Sequence, residues 1–133
     1  IPSTRALVRA DALWRHTCFE AFIAPIGGDG YCEINLSPSH EWAIYAFDRY
    51  REGMRPMRDA GPEPVIVGSG PGYLSLVAHI ELRDRQLAAQ DWQLGICAVI
   101  EDAQGGLSYW ALKHPGEKAD FHDRNGFVLD LPA

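Results

Sequence analysis

The sequence predicts an all-β fold, an antiparallel β-sandwich of jelly-roll type formed as one domain over residues 1–133. Three observations carry that expectation. Apolar residues alternate with period two through a series of short runs. Turns bearing glycine or proline separate the runs, and none shows the 3.6-residue period of an amphipathic helix. The chain has 133 residues and is 47% hydrophobic, enough to bury a core and too apolar for disorder.

The elements follow in order. Ile1 to Asp11 lacks an apolar stripe and reads as an irregular lead-in to Trp14. Residues 18–24 and 31–36 form a β-hairpin around the turn residues Pro25-Ile26-Gly27-Gly28-Asp29-Gly30. One register satisfies both strands: pairing Ala24 with Tyr31 sets, on one face, Ile23 opposite Cys32, Ala21 opposite Ile34 and Phe19 opposite Leu36. That face is wholly apolar and is assigned to the core. The other face sets Glu20 opposite Asn35 and Phe22 opposite Glu33, which makes it the candidate binding face.

Trp42 to Tyr50 is a third strand, apolar on both faces. Arg51 to Pro64 reads as a long loop, Val65 to Val67 as a short strand and Gly68 to Gly72 as a turn. Tyr73 to Leu82 is a strand, Asp84 to Asp91 a connection and Trp92 to Glu101 another strand. Leu107 to Leu112 and Phe127 to Leu131 close the series, with a polar loop from Lys113 to Asn125 between them.

Composition narrows the function. A net charge of −6 without a basic cluster disfavours nucleic acid and anionic membrane surfaces as partners. No apolar run is long enough to span a bilayer. Cys18, Cys32 and Cys97 are odd in number, lack C-x-x-C spacing and lie in apolar stretches. They are expected to be buried reduced thiols, which favours the cytoplasm. Because the chain opens Ile1-Pro2 rather than with methionine, the lack of a visible signal sequence weighs little.

Several constellations compete for chemistry. The glycines at 68, 70 and 72 are followed by a period-two strand rather than a helix, so a phosphate loop is discarded. Glu20 and Glu33 share a face and match the two-carboxylate requirement of a glycoside hydrolase, whose carboxyls lie roughly 5–10 Å apart. A solvated sheet face explains them equally well. Ser37, Ser39 and His40 sit in a proline turn without a nucleophile elbow, and turn hydrogen bonds account for them. His114, Asp120 and His122 share one loop and are minor candidates for a divalent metal, though ordinary loop polarity is the better account. Met54 and Met57 with five histidines leave Met/His haem ligation as a runner-up.

The blocks Leu13–Phe22, Tyr31–Pro38 and Leu107–Leu112 with Asp120-Phe121-His122 resemble a bacterial group of DOMON-like proteins related to family 9 carbohydrate-binding modules. The resemblance implies a non-catalytic β-sandwich that needs no cofactor and takes a small carbohydrate. It implies that Trp14 and Trp110 stack on the sugar, with Glu20, Glu33 and Asn35 as hydrogen-bonding groups. The sugar binders tend to carry a basic residue where this chain has Glu33. Some relatives bind haem instead. The resemblance also implies further strands ahead of the tryptophan block, whose absence would leave a sheet edge open to pairing with a second copy.

Overall fold

The period-two runs become strands in a computed structural model that describes residues 3–4, 7–57, 62–80 and 91–132. In chain order these are β1 (Ser3–Thr4), β2 (Val8–Arg9), β3 (Cys18–Pro25), β4 (Tyr31–Leu36), β5 (Glu41–Phe47), β6 (Arg55–Pro56), β7 (Pro62–Gly70), β8 (Tyr73–Ile80), β9 (Trp92–Glu101), β10 (Leu107–Ala111) and β11 (Leu129–Leu131). The larger sheet has the order β10-β9-β3-β4-β5-β2, with β6 added beside β5 and β11 beside β9. The smaller sheet has the order β1-β7-β8. The fold is an all-β sandwich in which every pairing is antiparallel except that of β2 with β5. No helix among the described residues is long and apolar enough to cross a membrane.

The hairpin has the register that its alternation demands. Phe19 pairs with Leu36, Glu20 with Asn35, Ala21 with Ile34, Phe22 with Glu33 and Ile23 with Cys32. On its far side β3 pairs with β9, which puts Cys97 opposite Glu20 and Gly95 opposite Phe22.

Four boundaries differ from expectation. The supposedly irregular lead-in makes two short strands, β1 joining the smaller sheet and β2 the larger. Within the stretch read as a loop from Arg51, Arg55–Pro56 pairs with β5; residues 58–61 lie outside the described residues. The strand at Val65 to Val67 is longer, and Gly68, Ser69 and Gly70 stay in register with β8. Pro71 and Gly72 make the reversal, Gly72 at φ 80°, a conformation that glycine adopts without a Cβ clash. The connection expected from Asp84 falls mostly outside the described residues.

The faces of β3 also differ from the simple division into core and binding side. Cys18, Phe22 and Ala24 are wholly buried with Glu20 between them, whereas Phe19, Ala21 and Ile23 are only half-buried. Both faces are covered, by different means. The smaller sheet lies over the apolar face, where Ile80 packs on the Ile34 and Ile44 cluster. The carboxyl face is closed by non-sheet segments: Leu13 from a 3-10 turn at Leu13–Arg15, and Phe121 and Phe127 from the C-terminal stretch. Phe127 stacks on Phe22 with ring centroids 5.7 Å apart. It also sits where a β-carbon at Gly95 would come within 2.9 Å of its ring. The aromatic content of this face explains why it became core. Phe22, Tyr31, Tyr45 and Phe47 all belong to its buried cluster, and their apolar area outweighs the two carboxyls.

Phe22→Ala is therefore expected to cost about 3–5 kcal/mol of unfolding free energy, and Ile23→Ala on the half-buried face to cost less. Chemical denaturation of both variants checks this order; the reverse order would put the tighter core on the other face.

Candidate functional site

The larger sheet supplies the floor of a cavity of about 350 Å³ on the carboxyl face. Glu20 from β3, Glu33 from β4 and Val99 from β9 project into it from three adjacent strands. The walls are aromatic: Trp14 from the 3-10 turn, Phe47 from the end of β5, Tyr109 from β10, and Phe121. Arg51 and Met54 stand at the exposed rim. Tyr109 and Phe121 meet edge to face at 6.1 Å, and Trp14 meets Tyr45 edge to face at 6.4 Å.

The floor carries the unusual electrostatics. Glu20 and Glu33 are 6% and 3% exposed, too dry for two neighbouring negative charges. Burial, the hydrogen bond to Glu33 and the charge of Glu33 together push the Glu20 carboxyl up to about 9. Burial also raises Glu33, while hydrogen bonding from Glu20 and Asn35 and the charge of Arg51 pull it back. Glu20 therefore keeps its proton at neutral pH and is the donor towards Glu33.

A second set of hydrogen bonds orients the groups beside the pair. The Arg51 backbone N–H donates to Tyr31 Oη at 3.0 Å, and Tyr31 Oη lies 2.7 Å from His122 Nδ1. His122 Nε2 is 3.5 Å from Glu33 Oε2. The proton arrangement that satisfies every group has the Tyr31 hydroxyl donating to Nδ1 and Nε2–H facing the Glu33 carboxylate. Burial, with the nearby Arg51 charge, lowers the His122 pKa to about 4, so the ring is neutral at pH 7. Arg51 adopts a left-handed φ of 53° and pairs with Asp120 at 2.9 Å. That ion pair and its hydrogen bond with Tyr50 hold Asp120 below the ordinary carboxylate range despite partial burial.

Of the residues expected from sequence, Trp14, Glu20 and Glu33 converge on this cavity. Asn35 lies directly across from Glu20 on the same face but is wholly buried and does not line the cavity. Its amide nitrogen and oxygen have no hydrogen-bond partner of good geometry among the described residues. Trp110 is not brought to the site. It is 64% exposed, and its pairing with Ala98, itself beside Phe19, sets it on the opposite face of the sheet. Tyr109 pairs with Val99 and faces the cavity instead, a displacement of one residue that reverses the side.

The loop residues His114, Asp120 and His122 separate by role. His114 stacks on Phe121, Asp120 holds Arg51, and His122 faces Glu33. Among the described residues no three His, Cys, Asp or Glu side chains are grouped to hold a metal. Ser37 and Ser39 hydrogen-bond to each other at 2.7 Å and Ser39 to Glu41 at 2.6 Å, which is turn chemistry. Among the described residues none of the three cysteines is in a disulfide, and Cys18 and Cys97 are buried. Phe47, Arg51, Tyr109 and Phe121 were not singled out as site residues from sequence, and Met54 only for haem ligation. The one available signal was alternation from Val99 through its pairing with β10. Compared with protein-family models, curated proteins and solved structures, the chain matches none.

The shared proton sets a pH dependence. Between about pH 4.5 and 9 the folded protein keeps a Glu20 proton that the unfolded chain has released. The resulting stabilisation is complete below about 4.5 and lost as pH rises through about 9. Wild type is therefore expected to lose more stability than Glu20→Gln between pH 5 and pH 9, measured by denaturant midpoints at each pH. A gap between the two that stays constant would mean that Glu20 holds no such proton.

Proposed function

We propose that the protein binds a small carbohydrate in this cavity without transforming it. The observation that supports the reading is the convergence of Trp14, Glu20 and Glu33 at one aromatic-walled cavity. A sugar ring presents apolar C–H faces and a rim of hydroxyls that each donate and accept. Trp14, Tyr109 and Phe121 offer flat surfaces for the faces. Protonated Glu20 offers a donor and the Glu33 carboxyl oxygens offer acceptors for sugar hydroxyls. At about 350 Å³ the space lies at the small end of ligand pockets, about 300–1,000 Å³, which suits one or two sugar rings. The resemblance to family 9 carbohydrate-binding modules assigns Trp14 and Glu20 the same roles.

Haem, the alternative that the resemblance allows, fits these residues poorly. Met54 and His122 do line the same cavity. Both His122 nitrogens are nonetheless engaged, Nδ1 with Tyr31 and Nε2 towards Glu33. Two buried carboxyls also occupy the floor on which an apolar macrocycle would rest.

Titration calorimetry with glucose, xylose, galactose and cellobiose tests the proposal. Trp14→Ala is expected to weaken the best of these ligands roughly tenfold, about 1.4 kcal/mol. Trp110→Ala is expected to leave affinity unchanged, because that ring lies on the other face. No heat from any of the four at millimolar concentration, or equal losses in both variants, would reject this site.

A further inference from the structure

The floor of the cavity sets two buried carboxyls side by side, and no unengaged cation faces them among the described residues that line it. Glu20 and Glu33 are both buried on the floor as diagonal neighbours of one sheet face, and His122 beside Glu33 is neutral. The one cation lining the cavity, Arg51, is at the rim and already paired with Asp120. The walls around Glu33 are aromatic faces, which attract cations through their negative quadrupoles. A neutral sugar hydroxyl would satisfy one hydrogen bond here but bring no positive charge that lets both carboxyls ionise together.

From the cavity, its two hydrogen-bonded carboxyls and its aromatic walls, we infer that the ligand is an amino sugar whose ammonium group seats between Glu20 and Glu33. This rests on the carbohydrate reading and specifies its substrate class. An ammonium has three donors, enough to reach both carboxylates at once. Its positive charge replaces the shared proton: the ligand enters as R–NH₃⁺, Glu20 gives its proton to the solvent, and the two carboxylates both end ionised around the cation. The one bond broken is the Glu20 O–H, its proton goes to solvent, and the net charge of the site is the same before and after.

The other groups around the pair leave that exchange to Glu20. From β3 and β9, Cys18 and Cys97 have thiols held protonated by burial and the two carboxylates. From β4 and β5, Tyr31 and Tyr45 have hydroxyls held protonated chiefly by burial. Asp11 accepts from Tyr45 and is paired with Arg9, away from the floor. Asp120 and Arg51 are charged partners of each other, and His122 is already neutral.

Calorimetry at pH 6.5 with glucosamine, glucose, N-acetylglucosamine and ethanolamine tests this, in two buffers of different ionisation enthalpy. Glucosamine is expected to bind at least tenfold more tightly than glucose or N-acetylglucosamine, with release of close to one proton. In Glu20→Gln the glucosamine-to-glucose affinity ratio is expected to fall towards one and the proton release to vanish. Glucose binding as tightly as glucosamine would overturn the amine inference while leaving the carbohydrate reading intact. Absence of binding by all the sugars would remove that reading and this one together. Ethanolamine matching glucosamine would overturn the sugar half of the assignment.

Discussion

Two carboxyls pressed together in a dry place cannot both ionise, and the proton shared by Glu20 and Glu33 is the constraint around which this structure is arranged. Their closeness follows from the hairpin. Phe22 pairs with Glu33 and Glu20 with Asn35, so the two glutamates become diagonal neighbours on one face. Their dryness follows from everything else on that face. Phe22, Tyr31 and Phe47 surround them with rings, and Tyr31 stacks on Phe47 at 4.8 Å. A buried pair of this kind lowers stability relative to an apolar pair of the same shape. The large aromatic area around it offsets that cost.

The cover over the carboxyls comes from segments outside the sheets, and this division shapes the site. The floor groups are fixed by strand pairing on both sides, β3 being held between β4 and β9. The walls come from a 3-10 turn, a strand end and the C-terminal segment, whose hold on the sheet is Phe127 seated over Gly95. His122 ties that segment to the floor through Tyr31 and Glu33. A rigid floor under loop-built walls is the usual division of labour at binding sites, because pairing fixes geometry while loops admit a ligand.

Much of this was legible in the residues, and the limits have physical causes. Period-two alternation gave the strand class and the hairpin register, because slipping one residue would have mixed apolar and polar faces. It did not reveal which face would be drier. Burial depends on what covers a sheet, and here the cover comes from Leu13, Phe121 and Phe127, distant in sequence from the hairpin. The Trp110 expectation failed by one residue for a related reason. Tyr109 and Trp110 are both aromatic and adjacent, and only the pairing of Tyr109 with Val99 shows which ring faces Glu20. Two short strands in the lead-in escaped because each is too brief for alternation to register.

The same geometry connects stability to recognition. Glu20 is held protonated, and Glu33 is a second carboxyl in a site where burial opposes charge. Both groups are unfavourable in the free protein and both lie on one sheet face beside one cavity. A core selected for stability alone would have replaced them with apolar side chains of like size, which the surrounding aromatics would accommodate. Unfavourable groups gathered at one concavity, on the best-paired strands of the fold, are the expected mark of a site whose free energy is completed by a ligand. The ligand that completes it best supplies donors and positive charge together, since either one alone leaves part of the floor as it was.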